Sequence, residues 1–124
     1  DYRSPLGQRR QMRLDDASVL HLNTASAADV RFDRDQRLVH LLEGELLLNV
    51  ADDPRPLRLR TGNGVLDLSS GRFNVRQLAG HSHVAVFQGS AGLAEQRLDA
   101  GQQARFDGPR WGAAARWTPM PGPG

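Results

Sequence analysis

The stretch that decides the fold runs from Leu38 to Pro56, LVHLLEGELLLNVADDPRP. It alternates, turns at Glu43-Gly44-Glu45, and then runs apolar through Leu46, Leu48 and Val50 before stopping at Asp52-Asp53-Pro54. Side chains two apart lie on one face of a strand, so Leu46, Leu48 and Val50 form a single buried stripe. Gly44 marks a bend or bulge between two strands, and the Asp-Pro pair closes the second. The segment is built for packing. It holds no nucleophile, metal-ligand cluster or phosphate loop.

Outward from this stretch the same grammar repeats. No glycine or proline interrupts Gln8 to Glu43, yet the apolar residues fall in pairs at spacing two: Met12/Leu14, Leu20/Leu22 and Val30/Phe32. The polar groups between them are turn formers, which predicts three short strands rather than a helix. Farther on, Leu57/Leu59 alternate with arginines, and Gly62-Asn63-Gly64 predicts a tight hairpin using positive φ. Val65–Leu68, Phe73/Val75 and Val84/Val86 continue the stripes. Gly80 places His81 in a turn. Gly89, Gly92, Gly101 and Gly108 recur at the spacing of short-strand β domains.

The expected fold is all-β, with about ten short strands in two facing sheets, as a sandwich or a solenoid-like roll, and no substantial helix. Leucines 20, 22, 42, 46, 48, 57, 59, 66 and 68, with Phe73, Val75, Val84 and Val86, are the expected core. Residues 1–106 are read as the β domain. Residues 107–124, DGPRWGAAARWTPMPGPG, read as a Pro/Gly-rich tail or linker towards a further C-terminal domain. Trp111 and Trp117 in that tail are the candidate protein-contact residues, docking on the sheet or on a neighbouring domain, because tryptophan anchors interfaces with a large amphipathic surface.

Composition narrows the function. At 124 residues the chain is one domain, long enough to bury a core without cross-links. It has no cysteine, which removes disulfides, thiolate nucleophiles and thiolate zinc sites. All sixteen basic residues are arginine, so the pI of 10.3 reflects arginine's pKa and not a basic patch; the net charge is only +2. Acids alternate with arginines from Arg31 to Arg37, as on a solvated surface. At 6% aromatic content the chain lacks the stacking platforms of a nucleic-acid binder. No apolar run approaches the ~20 residues of a membrane span. The start at Asp1 is that expected of a piece of a longer protein, with any membrane anchor elsewhere.

The chemistry-bearing residues are sparse. His81 and His83, with Gln88 farther on, faintly resemble a cupin metal signature and support an alternative reading as a cupin-like small-molecule or metal-binding domain. Gln88 is not a carboxylate, however, and no histidine follows. The expected metal and cofactor complement is none. His21 and His40 lie on strands among leucines with no nucleophile to serve. Glu43 and Glu45 imitate a carboxylate pair without a cleft, and Ser69-Ser70 lack a nucleophile elbow. No catalytic residue is assigned, and the chain is read as not an enzyme.

The opening stretch resembles the FecR family of bacterial anti-sigma regulators in its "L-x-x-G-E-x-x-x-x-V-A-x-D-P-x-R-P" segment. Four further pieces follow the family in order and spacing over residues 2–106. Tyr2–Arg10 is similar to "Y-x-T-x-x-G-E-x-R", and Leu14–Thr24 to "L-x-D-G-S-x-x-x-L-N-T". Gly71–Val75 is similar to "G-T-x-F-x-V", and Val86–Gly89 with Leu98–Gln102 to "V-x-x-G" and "L-x-A-G-Q". Ala17 stands where the family has glycine, which denies that turn easy access to positive φ. The resemblance implies a single-pass inner-membrane protein with this domain in the periplasm. It implies relay of a signal from an outer-membrane TonB-dependent transporter, which typically governs iron uptake, to a cytoplasmic extracytoplasmic-function sigma factor. The implied partners are the transporter's signalling domain, a neighbouring domain of the same chain and, through a cytoplasmic part, the sigma factor.

Overall fold

A computed structural model describes residues 2–4, 7–93, 96–108 and 115–116; Trp111 and Trp117 lie outside the described residues. These residues form thirteen strands and no helix, more strands than the ten expected. In chain order they are β1 (Tyr2–Ser4), β2 (Arg10–Arg13), β3 (Val19–Leu22), β4 (Ser26–Phe32) and β5 (Arg37–Val50). Then come β6 (Leu57–Thr61), β7 (Gly64–Leu68), β8 (Gly71–Leu78) and β9 (His81–Gln88). The last are β10 (Ser90–Leu93), β11 (Gln96–Asp99), β12 (Gln102–Phe106) and β13 (Ala115–Arg116).

β5 organises everything else. Its first half pairs with β4 and β6, in a ladder that runs β1-β4-β5-β6-β7-β10-β11. Its second half pairs with β3 and β8, in a ladder that runs β2-β3-β5-β8-β9-β12-β13. A straight strand of 14 residues would extend about 46 Å, yet Arg37 at its start reaches the carbonyl of Ala51 just past its end. The strand therefore folds back on itself. Arg37 then pairs in parallel with Leu57, twenty residues on, so the chain completes one coil before β6.

The bend is at Gly44, with φ of +85°. A Cβ there would overlap Ser26 Oγ and come within 2.7 Å of its Cβ and 2.8 Å of its Cα. Ser26 Oγ accepts the Glu45 N–H at 2.9 Å and donates to the Thr24 carbonyl at 3.1 Å, fixing the corner. Opposite it the register slips, because Ala27 faces Glu43 while Ala28 faces Leu41. That bulge reverses the inward phase of the strand. Val39 and Leu41 point inward before it, and Leu46, Leu48 and Val50 after it. Leu42, expected in the core from unbroken alternation, is only half-buried; the other twelve expected core residues are buried.

Both ladders bury their apolar stripes in one core, from Leu20 and Leu22 through Leu57 and Leu66 to Val84 and Phe106. Polar pins also join them. The buried Ser82 hydroxyl on β9 lies 2.8 Å from Thr61 Oγ1 and 2.7 Å from Asn63 Oδ1 in the β6–β7 hairpin. That hairpin turns at Gly62-Asn63 without the positive φ expected there. In the tail, Ala115 and Arg116 pair with Gln103 and Gln102 of β12.

Candidate functional site

The coil is locked where it closes, by a polar knot the sequence does not announce. Arg37 is 3% exposed and the Asp16 side chain fully buried; the guanidinium donates to Asp16 Oδ2 at 2.6 Å. It also donates to the carbonyls of Ala51 and Arg55 at 2.9–3.1 Å. Asp16 in turn accepts the N–H and hydroxyl of Ser18, whose Oγ accepts the Ala51 N–H. Burial pushes the Asp16 pKa up, but the bonds from Arg37 and Ser18 outweigh it and hold the carboxyl below its ordinary value. Its neighbours in sequence group Arg37 with the solvated arginines of 31–37. It is instead enclosed, because its backbone begins the coil and its N–H is taken by Pro56. The ADDPRP turn is thus a clasp. Within it Asp53 accepts the Arg55 N–H, Nε and Nη2, and those bonds hold its carboxyl far below the usual range.

A cavity of about 270 Å³ lies between this clasp and Ser69-Ser70. The Ser69 hydroxyl is committed to the turn, donating to the Ser70 carbonyl and accepting the Ser90 N–H. Ser69 is thus not poised as a nucleophile, and among the described residues no histidine lines this cavity to serve as a base.

The larger concavity, about 520 Å³, opens on the outer face of the second ladder, lined among others by Arg9, Arg10, Gln11, Asn23, Glu45 and Asn74. The register sets Asn23, just past β3, side by side with Glu45 of β5, Arg76 of β8, His83 of β9 and Arg105 of β12. Glu45 accepts from Asn23 Nδ2 at 2.6 Å and from Asn74 Nδ2 at 2.9 Å. Burial raises its pKa, and these two bonds, with Arg76 and His83 nearby, bring it below the ordinary value. A carboxylate stabilised in this way is a weak base, which suits a structural polar face better than acid–base work. Glu43, which only imitates a carboxylate pair with Glu45 in the sequence, is across the bend, exposed, and paired to Arg3 at 3.4 Å.

The two histidines of the cupin-like pattern share one face of β9, and His81 opens that strand instead of sitting in the turn. His83 faces Arg76 on one side and Arg105 on the other. Burial, the neighbouring His81 and Arg76 lower its pKa against the opposing pull of Gln103 and Glu45. Two flanking guanidinium groups disfavour a cation at this position. Among the described residues no three His, Asp or Glu side chains converge as a metal site. His21 lies 3.4 Å from Asn49 Nδ2, a contact between strands.

Comparison with known proteins agrees with this architecture. Among curated proteins, none matches the chain. Two crystal structures of a putative anti-sigma factor from Parabacteroides distasonis ATCC 8503 superpose with TM-scores of 0.79 and 0.78, at 26% and 27% identity. Each match covers 94% of this chain but only 59% of the longer relative. The model of the FecR protein family matches residues 1–92, most of the chain and every strand from β1 to the start of β10. The chain belongs to the FecR family.

Proposed function

We propose that this domain is the signal-relaying, non-enzymatic module of a FecR-like anti-sigma regulator. It lies on the periplasmic side of the inner membrane and passes a signal from an outer-membrane TonB-dependent transporter to a cytoplasmic extracytoplasmic-function sigma factor. The observation that carries the reading is the family match over residues 1–92, supported by the fold shared with putative anti-sigma factors. The site geometry fits it. The carboxylates Asp16, Glu45 and Asp53 are engaged by internal donors, and the outer sheet face presents polar groups suited to protein contact. Trp111 and Trp117 are proposed to contribute to contact with the neighbouring domain or partner.

The test is a reporter driven by the sigma factor's promoter, in cells carrying the full-length parent protein. Excising residues 1–106 is expected to abolish the dependence of transcription on the signal. Changing Trp111 and Trp117 to alanine is expected to alter it while the domain stays folded. An alkaline phosphatase fusion within this part should be active, as in the periplasm. A normal signal response after excision would refute the relay.

A further inference from the structure

We propose that the edge of β2 turned away from β3, unpaired among the described residues, is a docking strand for an extended acidic segment of another protein, which adds to the second ladder beside Arg9, Arg10 and Arg13. This deepens the protein-relay reading and rests on it only for its biological meaning.

The backbone geometry comes first. In an antiparallel pair, residues that exchange hydrogen bonds alternate with residues that do not. Leu14 N–H bonds the Ser18 carbonyl at 2.7 Å, and the same register pairs Met12 with Leu20 and Arg10 with Leu22. Gln11 and Arg13 are therefore the non-bonded positions, their N–H and carbonyl groups turned away from β3. An independent bond gives the same phase: Asn23 N–H reaches the Glu45 carbonyl at 3.0 Å, so His21 and Val19, opposite Gln11 and Arg13, spend their backbone groups on β5. Among the described residues β2 pairs with β3 alone. Gln11 and Arg13 are exposed. An incoming strand would find donors and acceptors at alternate positions, as strand addition requires.

Charge selects the strand. Edge arginines by themselves serve to deter aggregation, and those described on the β1 and β11 edges are neutralised. Arg97 on β11 is paired to Asp99 at 3.1 Å, and Arg3 on β1 to Glu43. Arg9 and Arg13 have no carboxylate partner among the described residues, and Arg10 donates to the Arg3 carbonyl. Among the described residues, Asp15 lies exposed in the turn after β2, Asp16 beside it is held by Arg37, and Glu45 in the concavity is already bonded to both asparagines. A deterrent edge also needs no receptacle. Here the 520 Å³ concavity is lined by Arg9, Arg10 and Gln11 themselves, giving side chains of an added strand a place to seat. A second copy of this chain is disfavoured as the occupant, since β2 against β2 sets arginines against arginines.

The experiment measures fluorescence anisotropy of a labelled peptide of alternating glutamate and valine with the purified chain at low salt. Binding is expected to be at least about tenfold tighter than that of the lysine–valine peptide. It should be lost when alternate peptide nitrogens are methylated. Arg9→Glu with Arg13→Glu should weaken it by about tenfold or more. Gln11→Pro, which removes an outward N–H and leaves the bonds to β3 intact, should do the same without shifting the melting temperature. No binding, equal binding of the methylated peptide, or competition by an oligouridylate of equal charge would each overturn the proposal. If Gln11→Pro does not fold, the methylated peptide decides alone. Failure here removes this edge as a docking site and leaves the reporter test of the relay untouched.

Discussion

Gly44→Ala is the perturbation that tests the architecture most directly. An alanine at φ near +85° costs about 1–2 kcal/mol from the clash of its Cβ with the backbone. The larger part comes from Ser26. Rotating its hydroxyl away would relieve the overlap with Oγ, but its Cα, at 2.8 Å from the new Cβ, moves only if β4 moves. Such overpacking costs about 1–3 kcal/mol. Displacing Oγ also strips the Glu45 N–H of its acceptor, which adds about 1–3 kcal/mol for a buried unsatisfied donor. Together these reach about 3–8 kcal/mol, a large share of the ~5–15 kcal/mol that holds an ordinary domain. Urea unfolding followed by far-ultraviolet circular dichroism measures it as a lower midpoint at unchanged slope. Ser26→Gly on the same background removes the clashes with Oγ and Cβ. It leaves the unfavourable φ and the crowding against the residue 26 backbone, so it should recover only a part of the loss. A loss below about 1 kcal/mol would refute the reasoning, because the bend would then tolerate a side chain and the fold-back of β5 would need another cause.

Three further outcomes follow from the same structure. Leu41→Ala should cost about 2–5 kcal/mol and Leu42→Ala under about 1 kcal/mol in urea unfolding, the reverse of what unbroken alternation gives. Ala17 holds φ of +73° in its turn, so Ala17→Gly should stabilise by about 0.5–1 kcal/mol, read as a higher urea midpoint. Acid should destabilise in two steps. The folded-state pKa of His83 is depressed, so its contribution is complete above the unfolded value of 6.5 and lost as the pH falls below it. Those of Asp16 and Glu45 are present above 3.8 and 4.5 and lost as the pH falls through their lower folded values; His83→Gln should flatten the first step in midpoints taken between pH 7.5 and 5.5.

The core is legible because it is written in spacing two. Each strand from β6 to β9 carries its inward leucines, valines or phenylalanine at alternate positions, and no other arrangement buries them. Leu42 is misread because a bulge adds one residue to β5 opposite β4, and alternation holds no record of an inserted residue. The knot is illegible for a different reason. Asp16 and Arg37 lie 21 residues apart, each beside other charged residues that are exposed. Only the return of the coil, with Arg37 beside Leu57, brings the ADDPRP carbonyls round the guanidinium. Asn23, Glu45 and Asn74 share this property: each reads as an ordinary solvated polar residue until the register of β3, β5 and β8 aligns them.

Arginine makes the same point about charge. A net +2 from sixteen arginines and fourteen acids gives no reason to expect a basic surface, and the structure shows where the acids are engaged. Asp16 holds Arg37, Asp53 clasps Arg55, Asp67 pairs with Arg58 and Asp99 with Arg97. Asp99–Arg97 joins neighbours on one strand, Asp67–Arg58 spans one hairpin and Asp53–Arg55 lies within the clasp. Asp16–Arg37 is made only where the coil returns, so topology decides which charges pair. At β2 the partner strand is β3, whose facing residues from Val19 to Leu22 include no acid. The edge arginines are thus left without a carboxylate by the register itself. A small net charge and a distinctly basic edge coexist because the sheet, and not the composition, decides which charges meet.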